Sequence, residues 1–75
     1  MSGLQAAFGK TVRELREELG LSQEKLAQRA KVSRNFWGSV ERGESSVSME
    51  VAERFSKALG ISFSELVRLS ETRRK

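Results

Sequence analysis

Gln23 to Gly43 read QEKLAQRAKVSRNFWGSVERG, and these residues predict how two short helices of the fold meet. The first part of this segment predicts a helix of about eight residues and its second part a helix of about nine. The connection between them, at Lys31-Val32, has about two or three residues. Two helices this short, joined this tightly, must cross at a steep angle, which is the helix-turn-helix arrangement. Ala27 and Ala30 provide the small side chains that such a crossing needs.

Serine and glycine residues divide the rest of the chain. Serine is a favoured N-cap because its hydroxyl accepts a hydrogen bond from a first-turn N–H group, and an apolar residue before it packs onto the helix. Such pairs occur at Leu21-Ser22, Val32-Ser33, Val47-Ser48 and Ile61-Ser62. Gly20, Gly43 and Gly60 lie where helices should end in a left-handed residue. With apolar residues at helical spacing and no alternation, the sequence predicts a compact all-α domain of five short helices.

Length and composition limit the possible functions. The chain has 75 residues and lacks Cys, His, Asp and Tyr, so it has no disulfide, no usual zinc ligands and few acid–base groups. We therefore expect no enzyme, no catalytic residue, no metal and no cofactor. The start of the chain does not resemble a signal peptide and no apolar run is long enough to span a membrane, which predicts a cytoplasmic protein. We expect one domain over residues 4–70 and a basic, flexible tail over 71–75.

Charge is distributed unevenly along the chain. The 14 basic and 10 acidic residues give a net charge of +4. Residues 10–43 hold eight basic and five acidic side chains, a net of +3, whereas residues 44–72 hold three and five, a net of −2. Charge alone leaves two interpretations open: an ordinary solvated helix surface, or one half of the domain that faces a polyanion.

The spaced motifs resemble the XRE family of phage-repressor and Cro-like helix-turn-helix domains. The resemblance covers roughly residues 8–69. It rests on the spaced combination of LREELGLSQEKLA at Leu15–Ala27 with Val32–Arg34, Val40–Gly43, Ser48, Ala58–Ser62 and Glu65-Leu66. It implies a repressor-like fold in which helices 2 and 3 form the helix-turn-helix and helix 3 enters the DNA major groove. Lys31 stands where the family usually has Gly, which implies left-handed strain at that position. Gly38 lies inside helix 3. It is either a neutral change, or its missing side chain lets helix 3 lie closer to the DNA groove or to the neighbours of Trp37.

The resemblance also implies roles for individual residues. The expected phosphate contacts are Gln23, Ser33 and Arg42, and the expected base-reading residues are Arg34, Asn35 and Ser39, whose side chains suit guanine, adenine and variable base edges respectively. Phe36 borders the DNA and either touches a thymine methyl or packs over helix 2. In the family, a paired Arg and Glu connect helix 1 to the end of helix 3. We expect Arg16 and Glu41 to form this pair as a largely buried structural contact.

Two function classes are compatible with the sequence. The first is a sequence-specific regulator of transcription that binds double-stranded DNA as a homodimer on an inverted-repeat operator, similar to small repressors and to restriction–modification controller proteins. The second is a protein-interaction module, such as an antitoxin-like partner. Neither interpretation requires a membrane or a small-molecule ligand. Helix 5 carries more apolar surface than a small core needs, so we expect a dimer interface there that includes at least one of Phe63, Leu66, Val67 and Leu69. The alternative is that all four close the core.

Overall fold

The five predicted helices are present in the computed structural model, which describes residues 3–73. Their bounds are α1 Gly3–Leu19, α2 Gln23–Ala30, α3 Arg34–Glu41, α4 Met49–Leu59 and α5 Phe63–Thr72. Residues 3–73 contain no strand, which confirms the all-α prediction. None of the helices in this range combines the length and the apolar character needed to cross a bilayer.

The serine caps and glycine ends explain where these helices begin and end. The hydroxyl groups of Ser22, Ser33, Ser48 and Ser62 each accept a hydrogen bond from the backbone N–H three residues later, at 3.0–3.1 Å. Gly20, Gly43 and Gly60 have φ angles of 71°, 75° and 79°, a conformation that glycine adopts without strain. Local chemistry therefore specifies the helix bounds, as the sequence predicts.

Each helix contributes a fully buried side chain to one core. These side chains are Val12, Leu26, Trp37, Phe55 and Leu66, from α1 to α5 in order. The Trp37 ring stacks on the Phe55 ring, with centroids 4.1 Å apart and an interplanar angle of 8°. Because Trp37 belongs to α3, this stack fixes one face of α3 to the interior and leaves the opposite face toward solvent.

The C-terminal end of α3 lies against the backbone of α1. A Cβ atom at Gly9 would overlap the carbonyl oxygen of Val40 and lie 3.0 Å from that of Glu41. Gln5 adds a hydrogen bond from its side-chain amide to the Gly43 carbonyl oxygen at 2.8 Å. The absence of a side chain at Gly9 therefore allows α1 and α3 to approach closely.

The C-terminal region differs from the sequence-based expectation. The predicted tail begins at residue 71, but α5 continues to Thr72, and Arg73 Nε donates to Glu14 Oε1 at 2.6 Å. The Arg73 guanidinium therefore links the end of α5 to α1, and the helical structure extends beyond residue 70. The last two residues of the predicted tail, Arg74 and Lys75, lie outside the described residues.

Candidate nucleic-acid interface

The turn between α2 and α3 is the tight connection that the sequence predicts. Lys31 adopts the left-handed conformation, with φ 60° and ψ 44°. Its N–H donates to the Gln28 carbonyl oxygen at 3.2 Å, and the N–H of Val32 donates to the Ala27 carbonyl oxygen at 3.0 Å. These two bonds close the end of α2, and Ser33 then caps α3 directly. The geometry is that of a helix-turn-helix.

The first turn of α3 presents two polar side chains to solvent. Arg34 and Asn35 are both exposed and follow directly after Ser33. Ser33 is exposed as well, although its hydroxyl accepts from the Phe36 N–H at 3.0 Å. An Arg fork and an Asn amide at the start of an exposed helix can form paired hydrogen bonds with guanine and adenine edges, respectively.

Phe36 and Ser39 are more enclosed than Arg34 and Asn35. The half-buried Phe36 ring meets Phe55 of α4 edge-on, with centroids 6.3 Å apart, so the ring packs against the core. The Ser39 hydroxyl donates to the Phe36 carbonyl oxygen at 2.8 Å and lies 2.7 Å from the Ser45 hydroxyl. Since a hydroxyl carries one proton, Ser39 has only acceptor capacity left for a ligand.

The other end of α3 is held by a carboxylate with four hydrogen bonds. Arg16 donates to Glu41 from Nε to Oε2 at 2.6 Å and from Nη2 to Oε1 at 3.2 Å. Gln23 Nε2 donates to Oε1 at 2.8 Å, and the Trp37 indole N–H donates to Oε2 at 2.7 Å. The remaining Arg16 nitrogen, Nη1, reaches the Leu21 carbonyl oxygen at 3.0 Å. The ion pair thus connects α1, α2 and α3 at one point.

Burial and hydrogen bonding act in opposite directions on this carboxylate. The Glu41 side chain is only 3% exposed and that of Arg16 only 15%. Burial alone would raise the pKa of Glu41, but the hydrogen bonds from Arg16, Gln23 and Trp37 outweigh it and hold the pKa below its ordinary value. The hydrogen bond to Glu41 raises the pKa of Arg16. Both groups therefore remain charged at neutral pH.

The side chains of Gln23 and Arg42 lie against the surface of α3 at Gly38. A Cβ atom at the buried Gly38 would lie 3.2 Å from Arg42 Nη1 and 3.4 Å from Gln23 Oε1. The missing side chain therefore leaves room for these two polar groups. The exposed Arg42 guanidinium also pairs with Glu44, from Nε to Oε1 at 3.1 Å.

Gln23 and Arg42 border a polar cavity of about 240 Å³, which is also lined by Arg13, Arg16 and Glu41. The lining carries three positive charges and one negative charge. Arg13 was not among the residues predicted from the sequence. It lies three positions before Arg16, about one helical turn, and that spacing could have indicated it. Its exposed side chain pairs with Glu17 at 3.2 Å.

The predicted dimer residues fall into different environments. Leu66 is fully buried in the core, so its assignment to an interface is corrected: within one chain it has no surface to offer a partner. Phe63 and Leu69 are half-buried and Val67 is 38% exposed. Phe63 and Val67 line an apolar groove of about 250 Å³ between α1, the loop before α4, α4 and α5. Met49, also at this groove, is 76% exposed and was not identified from the sequence.

Comparison with known proteins assigns the family. Residues 7–69 match the family described as "Helix-turn-helix domain". The chain is 37% identical over 67 residues to control protein C.MunI of a Mycoplasma species, covering 88% of this chain and 90% of C.MunI. The solved restriction-modification controller protein C.AhdI from Aeromonas hydrophila is 42% identical, with a TM-score of 0.80 over 83% of this chain and 94% of C.AhdI. The controller protein C.Esp1396I, solved as a tetramer with its natural 35 base-pair operator, shares the fold, with a TM-score of 0.90 and 22% identity over 99% of this chain and 97% of C.Esp1396I. These matches confirm the resemblance seen in the sequence, and the chain belongs to the helix-turn-helix domain family.

Proposed function

We propose that this protein is a sequence-specific regulator of transcription that binds double-stranded DNA as a homodimer on an inverted-repeat operator. The observation that carries the proposal is the exposed start of α3, where Arg34 and Asn35 extend from a helix whose other end is anchored in the fold. The solved relatives support it, since C.AhdI is a restriction-modification controller protein and C.Esp1396I was solved with its operator. The proposed role is non-catalytic and cytoplasmic, and requires no cofactor or small-molecule ligand.

Base reading is assigned to the outer face of α3. Arg34 is suited to the O6 and N7 atoms of guanine, and Asn35 to N6 and N7 of adenine. Ser39 serves as an acceptor only, because its proton is already donated to the Phe36 carbonyl oxygen. The exposed part of Phe36 is available for a thymine methyl, while the rest of its ring packs on Phe55.

Phosphate binding is assigned to Gln23, Ser33 and Arg42, with Arg13 added. Arg13 and Arg42 border the polar cavity described above, and both are exposed. Arg42 must exchange Glu44 for a phosphate, a change that costs little because exposed ion pairs contribute at most about 1 kcal/mol. Gln23 keeps one amide N–H on Glu41 and has a second N–H to offer a phosphate oxygen.

Dimerisation is assigned to the apolar groove. A single eight-residue helix reads too few base pairs for useful specificity, so two copies related by a two-fold axis are needed. A two-fold interface must be complementary to itself. The groove offers apolar side chains for such an interface, since Met49, Phe63 and Val67 all line it and Met49 is 76% exposed. Leu69 lies outside the groove lining and is assigned to the rim of the interface.

The DNA-binding proposal is tested by titrating two variants against matched and scrambled duplexes at several salt concentrations. The matched duplex is first selected from a random pool. Arg34→Ala should cost about 1–3 kcal/mol on the matched duplex and little on the scrambled one. Arg42→Ala should weaken binding to both duplexes equally. For the parent dimer, Arg13 and Arg42 of each subunit give about four ionic phosphate contacts, which predict a log–log salt slope near −4. Arg42→Ala should make this slope shallower.

Selected sites should contain inverted half-sites about 10–10.5 bp apart, centre to centre. Equal losses on both duplexes for Arg34→Ala would remove this residue from base reading. If the parent protein binds no duplex even at low salt, the protein-interaction alternative replaces the proposal.

The dimer assignment has its own test. Met49→Glu places a charge in the proposed apolar interface and should convert the dimer to a monomer in sedimentation experiments. Leu19→Glu is the matched control, since Leu19 is also an exposed apolar residue but does not line the groove. A dimer that persists in Met49→Glu, or dissociates only in Leu19→Glu, would contradict the assignment.

A further inference from the structure

The turn between α2 and α3 is clamped by a side chain of α4. Arg54 Nε donates to the Ala30 carbonyl oxygen at 2.9 Å, and Arg54 Nη2 donates to the Lys31 carbonyl oxygen at 3.2 Å. These carbonyls lie at the end of α2, where the helix has no N–H groups of its own to satisfy them. A guanidinium suits this position because its donors form a planar fork and its positive charge stabilises a helix C-terminus.

Lys31 makes this clamp important. Among residues 3–73, it is the one non-glycine residue with a positive φ angle. A side chain in the left-handed region is strained, so the two hydrogen bonds that close the turn open more readily than they would with glycine. Arg54 binds the carbonyl of the strained residue itself and so opposes this opening.

The same turn determines where the base-reading residues lie. Arg34 and Asn35 begin α3 only three and four positions after Lys31. The C-terminal end of α3 is held at Glu41, whereas its N-terminal end is reached through the turn. Groups that recognise a ligand must be held to within about 0.5 Å. A turn that opens would therefore displace Arg34 and Asn35 from their base edges.

The helix that carries Arg54 is itself connected to α2 a second time. Arg29, in the last turn of α2, reaches back to the Ala58 carbonyl oxygen of α4 at 3.5 Å. Each of the two helices thus contributes an arginine that contacts carbonyl oxygens at the C-terminal end of the other helix. These reciprocal contacts support the turn from α4.

We infer that Arg54 is a positioning residue for DNA recognition: by holding the strained turn at Lys31, it sets the orientation of Arg34 and Asn35. Arg54 acts through the backbone of the turn and not through a contact with DNA. This inference rests on the proposed function, because it assumes that Arg34 and Asn35 read bases. Its test therefore includes one measurement made without DNA.

The measurement without DNA is amide hydrogen exchange under native conditions. The N–H groups of Lys31 and Val32 donate the hydrogen bonds that close the turn. In Arg54→Ala their exchange should be faster by about tenfold, since the opening is no longer opposed. Lys57→Ala removes an exposed positive charge from the same helix and should leave both rates unchanged. Arg54→Lys keeps the charge without the fork and should give intermediate rates.

The measurement with DNA is the ratio of matched to scrambled affinity at a fixed salt concentration. Arg54→Ala should lower this ratio by about tenfold while changing the scrambled affinity by less than about twofold. Adding Lys31→Gly should recover at least about threefold of the ratio, because glycine holds a left-handed turn without strain. If Arg54→Ala does not fold, Arg54→Lys provides the same comparison, with a smaller loss of the ratio.

Three results would overturn the inference. One is unchanged exchange at Lys31 and Val32 in the Arg54 variants. Another is an equal loss of affinity for both duplexes, which would indicate a direct phosphate contact. The third is an affinity ratio that does not recover when Lys31→Gly is added to Arg54→Ala, which would show that Arg54 does not act through the turn. If the parent protein does not distinguish the two duplexes, the proposed function is contradicted. The exchange rates of Lys31 and Val32 would still show whether Arg54 stabilises the turn.

Discussion

The C-terminal end of α3 is enclosed by the protein, whereas its N-terminal end is open to solvent. At the enclosed end, the Glu41 carboxylate accepts hydrogen bonds from three side chains of α1, α2 and α3. At the open end, Arg34 and Asn35 are exposed and lie in the first turn of the helix, directly after the Ser33 cap. The difference shows that an eight-residue helix can separate the residues that stabilise the fold from those that remain available to a ligand.

This separation is possible because the polar groups at the enclosed end satisfy one another. Among the described residues, no buried side-chain nitrogen or oxygen lacks a hydrogen-bond partner. An unsatisfied polar group would be costly at this depth, so each member of the cluster depends on the others. We therefore expect loss of the buried Glu41 carboxylate to change stability, and loss of the exposed Asn35 amide to change DNA binding with little effect on stability. Five predictions test this comparison.

The largest effect is expected for Glu41→Ala. The substitution leaves the Arg16 charge buried without its partner, which typically costs about 3–5 kcal/mol of the free energy of unfolding. The change is measured by urea unfolding followed by circular dichroism. The control is Glu44→Ala, which removes a carboxylate from the exposed pair with Arg42 and should cost less than about 1 kcal/mol. Similar losses in the two variants would contradict the distinction between an enclosed and an open environment.

Gly9→Ala should also destabilise the enclosed end. In an open helix this substitution would raise stability by about 0.5–1 kcal/mol. Here the added methyl group meets the Val40 carbonyl oxygen, and such overpacking typically costs about 1–3 kcal/mol. Thermal unfolding of Gly9→Ala is compared with that of Lys10→Ala, an exposed neighbour. A stabilised Gly9→Ala variant would show that α1 and α3 do not approach as closely as described.

Asn35→Ala tests the open end. We expect a loss of about 1–3 kcal/mol in discrimination at a particular A·T base pair, because the paired hydrogen bonds to adenine disappear. The free energy of unfolding should change by no more than about 0.5 kcal/mol, as is usual for an exposed residue. Gln28→Ala removes a comparable exposed amide from α2 and should alter neither property. A large loss of stability in Asn35→Ala would show that the two ends of α3 are not separate.

Acid should weaken the enclosed end, with a smaller effect than deletion because a protonated carboxyl group still accepts hydrogen bonds. The pKa of Glu41 is below its ordinary value of 4.5 in the folded protein. Its contribution is therefore fully present above the unfolded pKa and is lost as the pH falls through the folded pKa. The stability difference between the parent and Glu41→Gln should shrink as the pH is lowered from about 5.

Glu65 provides the comparison for this pH experiment. A hydrogen bond from Arg68 lowers the pKa of Glu65 as well, but this pair lies at the surface. Added salt should therefore remove the pH effect of Glu65→Gln and leave that of Glu41→Gln largely intact. Equal salt sensitivity of the two effects would contradict the burial of Glu41.

The smallest effect is expected for Lys31→Gly in the otherwise unchanged protein. Relief of left-handed strain favours the folded state by about 1–2 kcal/mol, while the greater freedom of glycine when unfolded offsets about 0.5–1 kcal/mol. The net gain should thus be about 1 kcal/mol or less in urea unfolding. The same substitution at Lys25, inside α2, should destabilise the protein, since that position has no strain to relieve.

The fold could be predicted largely from local chemistry. A serine cap involves a hydroxyl and an N–H group three residues away, so the positions of Ser22, Ser33, Ser48 and Ser62 suffice to define four helix starts. The exposed position of Arg34 and Asn35 is instead implied by the family resemblance, and both residues lie at the surface. In contrast, the contact of Gly9 with Val40 joins residues 31 positions apart, and its existence depends on how the helices pack.

The features of the site that could not be predicted depend on contacts between residues that are far apart in the sequence. Nothing near Arg54 in the sequence indicates the carbonyls of Ala30 and Lys31 that it binds. The helical spacing of Leu66 places it on an apolar face, but only packing distinguishes a core residue from an interface residue. The amide of Gln23 likewise could not be assigned to Glu41 without the crossing angle of α2 and α3.

Trp37 gives the protein an optical reporter at the enclosed end of α3. It is the only tryptophan, and the chain has no tyrosine. Its indole ring is fully buried, stacks on Phe55 and donates its N–H to Glu41, so separation of α3 from the core would expose the ring to water. Exposure of the ring to water moves indole emission to longer wavelength. The wavelength of maximum tryptophan emission of the unlabelled protein therefore reports whether α3, the helix assigned to DNA recognition, is still packed against the core.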